Sequence, residues 1–356
     1  VTVRTERKGD PHLPLPPLAT LKGLLTSLCS MGRTIRIFRG GLASLRGVRR
    51  RPHRGFTSLA EASPLDRFMG SSQNNFNTGI PPSFSLEEGV DRSAAREFRL
   101  RVRSGEHVEQ TSGCVPGHVQ ANFVALPKAY AFDFLVFCLR NPRPCPLLAM
   151  TDPGKGDPGI IASGADLRTD IPRYLVFREG KVVESTTDVS EYWQSDMVGF
   201  LLGCSFSWEQ KLADRNLAPR NVVEGLNVSM YRTSLKNQQS GPFQGNLVVS
   251  MRPYKESQIE EVNQITKSYP GAHGGPIHWG NPDALGIGDI HDPDYGDVTH
   301  INNDEVPVFW ACGVTPQTAL EAAKLPIAIT HAPGHMFIAD VRDEEMRLDF
   351  NSNATE

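Results

Sequence analysis

Between Pro11 and Ala60 the chain carries neither aspartate nor glutamate, while Arg33, Arg36, Arg39, Arg46, Arg49, Arg50, Arg51 and Arg54 all fall there. An acid-free, arginine-rich stretch with interspersed serines and weak amphipathicity has the composition of a mitochondrial transit segment. Residues 1–60 are therefore expected to be a basic leader addressing the chain to the mitochondrial matrix, with a cytoplasmic protein bearing a basic tail as the alternative. Aromatic residues are nearly missing from the same stretch, which disfavours a nucleic-acid-binding arm.

Other absences exclude whole classes. No run of 18 apolar residues occurs, so no helix is expected to cross a membrane. The six cysteines (Cys29, Cys114, Cys138, Cys145, Cys204, Cys312) form no CxxC pair and no dense framework, which fits reduced, intracellular thiols. There is no G-x-S-x-G elbow and hence little support for a hydrolase triad. No repeat of fixed period appears. A net charge of −3 argues against nucleic acid as the partner of the whole chain.

What is present is a chain of 356 residues rich in turns, with 32 glycines and 27 prolines. Residues 61–92 read as a polar linker, and a single large domain is expected over 93–343, followed by a tail over 344–356. Its coarse pattern alternates strand-like and helical runs. Ser93–His107 has helical composition ending near Gly105. Val119–Pro127 is a candidate strand, Ala129–Pro142 an apolar amphipathic helix and Pro144–Gly154 a short strand with its turn. A hairpin is signalled by Tyr174–Phe177, the Glu179-Gly180 turn and Val182-Val183. Asn227–Ser234 and Gly245–Tyr254 look like further strands. Ser257 and Glu260 are spaced as a capping box for a helix running to Tyr269. The class this predicts is α+β: a mixed sheet with helices packed around it.

Chemistry-bearing residues concentrate between Pro270 and Met336, where His273, His278, His291, His300, His331 and His335 fall among many glycines and prolines. Asp289, His291, Asp292, Asp294 and Asp297 lie within nine residues, a set that offers oxygen and imidazole ligands for a divalent ion; the plainer reading is an Asx-rich loop capping its own turns. His331 and His335 are four apart, but Pro333-Gly334 between them forbids the helix a metal pair needs. A strand-to-strand connection carrying two imidazoles suits acid–base work instead.

Upstream, Ser207 is placed to cap a helix starting at Trp208, so the turn holding Cys204, Ser205 and Ser207 would offer amides to an anion. Thr315-Pro316 opens another helix, and Thr315 and Gln317 would flank its free N–H groups, with Cys312 at the preceding strand end. Among the arginines ending strand-like runs (Arg168, Arg173, Arg232, Arg252), Arg232 stands out because it interrupts a strand with a charge, and an arginine fork suits bidentate carboxylate recognition.

The segments SGEHVEQTSGCVPGHVQANFVALP, RTDIPRYLVFREG, FLLGCSFSWEQKL, NVSMYRTS, GPFQGNLVVSMRP, AHGGPIHWGNPDALGIGDIHDPDYGD and VPVFWACGVTPQTALEAAKLPIAITHAPGHMFIADV together resemble the D-glutamate cyclase family. The match is nearly continuous over about residues 93–343 and is similar to the single-domain, bacterial-type hydro-lyase members, here behind a leader. The resemblance implies an α+β domain and a carbon–oxygen lyase that turns D-glutamate into 5-oxo-D-proline and water, with a small amino acid as partner. It implies no firm cofactor; a divalent metal remains an expectation at Asp289, His291, Asp292 and Asp294 only. Homo-oligomerisation is left open.

Cyclisation requires a base for the ammonium, a polarised γ-carboxyl and a proton for the departing oxygen. From chemistry, His331 or His335 is the expected base, and Asp289 or Asp297 its orienter or the acid. Arg232 and the two turns would cradle the carboxylates, with Arg173, His273 and His278 completing the lining. A hydro-lyase acting on another small hydroxy or amino acid is one alternative, and a non-catalytic carboxylate-binding module is another.

Overall fold

The computed structural model describes residues 89–348. The expected leader, all but the end of the polar linker and the last residues of the tail lie outside the described residues.

The α+β class is what the structure shows. The elements in order are α1 (Ser93–Arg103), β1 (His118–Pro127), α2 (Lys128–Arg140), β2 (Leu147–Met150), β3 (Tyr174–Arg178), β4 (Lys181–Thr186), β5 (Met197–Gly203), α3 (Glu209–Ala213) and α4 (Arg220–Glu224). Then come β6 (Ser229–Lys236), β7 (Asn246–Tyr254), α5 (Ile259–Lys267), β8 (His278–Trp279), β9 (Val306–Ala311), α6 (Thr315–Ala323), β10 (Ala328–His331) and β11 (Phe337–Arg342). The strands form two sheets. One runs β2-β5-β1-β10-β3-β4 with β11 also on β1, and the other runs β6-β7-β9-β8. Every strand pair among the described residues is antiparallel.

The first sheet is built around β1, all ten of whose residues are buried. Side chains alternate across a strand, so Val119, Ala121, Phe123 and Ala125 enter one core with Trp208, Trp310 and Tyr174. Val124 and Leu126 enter the other, beneath Phe134 and Phe137 of α2. Phe134 meets Phe200 and Phe243 edge-on at 4.9 and 5.2 Å. Burying such a ring contributes about 1.5–3 kcal/mol. α1 lays Ala95, Phe98 and Val102 on Ile338 of β11.

The β1 edges differ in a way that shapes the site. β5 pairs with β1 continuously from Ala121 to Pro127. On the other edge β11 takes His118 to Ala121 and β10 takes Val124 and Ala125. These two strands therefore share one edge end to end, and neither ladder reaches Asn122 or Phe123. The chain crosses this gap through Ala332–Met336, whose proline and Gly334 (φ +84°) cannot extend a ladder.

Glycine is required at two close approaches. A Cβ on Gly203 would sit 1.6 Å from the Gly271 carbonyl oxygen, and one on Gly313 would sit 1.9 Å from Asn122 Nδ2. The ends of β5 and β9 are thereby held tight against the Pro270–Ala272 turn and the Asn122 side chain.

Candidate active site

His331 is the last residue of β10 and is 1% exposed. Its Nδ1 accepts the Phe123 N–H at 3.1 Å and lies 3.2 Å from the Phe123 carbonyl, so the imidazole fills the break in the β1 ladder. Its Nε2 is buried without a partner. Burial pulls its pKa down to about 4, opposed by the Phe123 contact and aided by neighbouring His335.

His335 is half-buried in the connecting turn, with Nδ1 3.0 Å from the Pro333 carbonyl. A carbonyl only accepts, so Nδ1 carries the proton and Nε2 keeps its lone pair. Burial lowers the pKa below the usual imidazole value; the Arg173 charge lowers it further and Glu109 opposes. Thr111 pins the turn from one side, donating its N–H to Gly334 O at 2.8 Å and accepting Met336 N–H at 3.0 Å on Oγ1. Asn227 Nδ2 donates to Pro333 O at 3.3 Å from the other.

Arg173 immediately precedes β3 and is half-buried, and its carbonyl accepts the Ala332 N–H at 2.8 Å. The guanidinium stands close enough to bias His335 yet forms no ion pair among the described residues. A neutral imidazole with an available lone pair, beside an arginine without a carboxylate, can take a proton from a substrate whose acid group the arginine holds.

Several expected site residues are occupied elsewhere. Ser207 does not cap a helix: its Oγ accepts the Gln120 N–H at 3.0 Å, and Ser205–Trp208 is a 3-10 turn followed by five-residue α3. The Thr315 and Gln317 N–H groups are not free, since they donate to Cys312 O and Val314 O, and Thr315 Oγ1 accepts the Val248 N–H. Gln317 Nε2 donates to the His331 carbonyl at 3.0 Å, which supports the imidazole from behind. Burial pushes the Cys204 thiol up and the Cys312 thiol up to about 11, which removes the thiolate that nucleophilic attack needs.

Arg232 is on the solvent face of β6, bound bidentately by Glu321 at 2.7 Å and stacked over Tyr295. The buried arginine is Arg252, one strand away. It lies 4.7 Å over Trp208 and 5.6 Å over Trp310, bound to Glu209 at 2.9 Å and Ser205 at 3.1 Å. Both residues interrupt apolar strands; only the packing of Ser205–Glu209 over β7 separates them.

His273 is buried at φ +74°, with Nδ1 2.6 Å from Arg143 O and a pKa of about 4 set by burial. His278 is half-buried on β8, stacked on Phe309 with Nε2 2.8 Å from Asn281 O. The acidic loop does not converge on an ion. Asp289, His291, Asp292 and Asp294 are exposed, Asp289 accepts the His291 N–H, Asp294 the Arg232 N–H and Asp297 the Asn227 N–H. Among the described residues no group of three or more histidine, cysteine or acidic side chains is placed to hold a metal. The acid whose charge acts on His335 is Glu109, which opposes the lowering of its pKa. Glu109 stands 226 residues upstream of His335 in a polar run without any local signal.

Residues 198–340 match the family model described as D-glutamate cyclase. A protein of Rubrobacter xylanophilus named "Putative hydro-lyase" is 52% identical over 254 residues, 71% of this chain and 98% of that relative. The chain belongs to the D-glutamate cyclase family. Family members of the same hydro-lyase description in Bacillus subtilis and Geobacillus kaustophilus are each 49% identical, covering 99% and 96% of those relatives. The relatives' names describe hydro-lyases; both histidines, β10 and the Gly203 and Gly313 approaches lie within the matched residues 198–340, and Arg173 with β3 precedes them.

Proposed function

We propose that the protein cyclises D-glutamate to 5-oxo-D-proline and water at His335 and Arg173. The observation that carries this reading is the pairing of a neutral, half-buried imidazole with an arginine that has no acid partner among the described residues. Arg173 holds a substrate carboxylate through a charge-assisted fork. His335 Nε2 takes a proton from the ammonium, and the freed nitrogen pair attacks the γ-carboxyl carbon. A C–N bond forms and a carbonyl π pair moves onto oxygen. The C–O bond then breaks as that pair returns. The nitrogen gives up two protons in all, and these are the two that the departing oxygen needs to leave as water. His335 alternates between base and acid to move them, so atoms and charge balance without a further reactant.

The test is incubation with D-glutamate, L-glutamate and 5-oxo-D-proline followed by chiral chromatography. Turnover confined to the D-glutamate/5-oxo-D-proline couple is expected. No turnover of that couple, with conversion of a different hydroxy or amino acid, would reassign the substrate.

A further inference from the structure

Two buried nitrogens near Phe123 have no hydrogen-bond partner: His331 Nε2, and Trp193 Nε1, whose ring stacks on Phe123 at 6.2 Å and 12°. The His331 tautomer follows from its other nitrogen. The Phe123 N–H can only donate, and its position in the ladder gap leaves Nδ1 as its acceptor, whereas the Phe123 carbonyl has a second lone pair. Nδ1 is therefore bare and the proton is on Nε2. A buried donor without a partner is unfavourable, and one that a folded chain keeps calls for an explanation such as a ligand that supplies the acceptor.

We propose that His331 is a fixed, neutral hydrogen-bond donor whose Nε2–H takes the oxygen that becomes negative when the amine adds to the γ-carboxyl carbon. The assignment rests on the cyclase reading and separates two histidines of similar appearance. His335, half-buried with its Nε2 lone pair available, moves protons. His331, clamped to Phe123 and backed by Gln317, moves none and stabilises charge. A neutral donor suits the second task because it gives up no proton to the oxyanion and so needs no reloading. Nε2 is shielded from solvent and has no partner in the unliganded chain, so the contact forms only in the substrate complex.

The tautomer is read directly by nitrogen NMR on histidine-labelled protein, with the His331 signal identified by its loss in His331→Asn. A proton on Nε2 at neutral pH is expected, and a proton on Nδ1 overturns the proposal. On adding 5-oxo-D-proline, whose lactam oxygen occupies the oxyanion position, the Nε2–H resonance is expected to move downfield. His331→Asn keeps an oxygen acceptor for the Phe123 N–H and removes the distal donor, so kcat is expected to fall about 10²–10³-fold with KM little changed. Its thermal transition is measured alongside as the check on folding. Turnover of D-glutamate with an unmoved resonance, or a folded His331→Asn protein with unchanged kcat, overturns this inference alone. Absence of both binding and turnover overturns the cyclase reading and this inference with it.

Discussion

Glu209 Oε1 sits 2.9 Å from Arg252 Nη2 with neither side chain reaching solvent: the arginine is 0% and the glutamate 4% exposed. Ser112 donates to the other Glu209 oxygen at 2.8 Å, and Asn221 lies behind Ser112 at 3.4 Å. The pair thus ties β7 of the second sheet to α3 and to the loop before β1.

Removing one member leaves the other as a buried charge, and such losses are typically about 3–5 kcal/mol. Arg252→Ala and Glu209→Gln are each expected to destabilise by about that much in urea unfolding, and the double variant by clearly less than their sum. Additive losses would show that the pair does not act as a unit.

The pair was only half visible in the sequence. Local features were legible: the hairpin turn at Glu179-Gly180 has the left-handed backbone its residues signal, at φ +48° and +76°, and the helices and strands fall close to their expected spans. The capping box was displaced, since Gln258 Oε1 accepts from Lys255 N–H and Ser257 plays no such part. Which arginine goes inside was not legible, because Arg232 and Arg252 occur in similar strands and their fates depend on what covers each face. The Ser205–Glu209 turn that buries Arg252 is more than 40 residues away in the chain. The break in the β1 ladder depends on two strands sharing one edge, a relationship that no local pattern encodes. For the same reason His331 and His335 read as equivalent until their neighbours were seen.

Their inequivalence has a kinetic consequence. His335 must be neutral to accept a proton, and burial and Arg173 both lower its pKa. The acid limb of kcat/KM is therefore expected below the unperturbed imidazole value of about 6.5. His335→Ala is expected to reduce kcat about 10²–10⁴-fold, the usual worth of a positioned acid–base group. Arg173→Ala is expected chiefly to raise KM, by about 10–100-fold, for the loss of a charged hydrogen bond, and to move the acid limb upward because the guanidinium no longer opposes protonation. An acid limb unmoved by Arg173→Ala in steady-state profiles would remove the arginine from the site.

The glycine at the end of β5 permits a sharper structural test. Backbone oxygen of Gly271 occupies the place of a Gly203 Cβ, and a backbone cannot rotate away as a side chain can. Gly203→Ala is expected to lose about 1–3 kcal/mol, the range of overpacked cores, measured by thermal unfolding. Gly164→Ala is a different control: that site is open but left-handed at φ +69°, so any loss there reports backbone strain alone. Equal losses at both positions would mean that the close approach at Gly203 contributes nothing.

A last prediction concerns Asp343 and Glu344, which follow β11 and share Lys211. Asp343 is fully buried with Lys211 Nζ 3.2 Å from it, while Glu344 is mostly exposed and also touches Lys211. Burial pushes the Asp343 carboxyl up to about 7, while its interaction with Asp343 and the Lys211 contact hold Glu344 down to about 2. The two carboxyls titrate as a pair that keeps one proton over a wide range. Unfolded, they titrate near 3.8 and 4.5. Between about 2 and 4.5 the folded chain binds fewer protons at Glu344 than the unfolded chain, so stability from this group rises with pH. Between about 3.8 and 7 the folded chain retains the Asp343 proton that the unfolded chain has lost, so stability from that group falls as pH rises, the loss being complete above the folded value. At about 1.4 kcal/mol per unit the fall is no more than about 4 kcal/mol, with Lys211 reducing it. Asp343→Asn mimics the protonated carboxyl and is expected to abolish the falling limb, leaving the variant more stable than the parent at pH 8 and by a much smaller margin near pH 4.5. Urea unfolding at those two pH values measures it, and a parent protein no less stable at pH 8 than at pH 4.5, with Asp343→Asn unchanged, would show that Lys211 keeps Asp343 ionised in the folded chain.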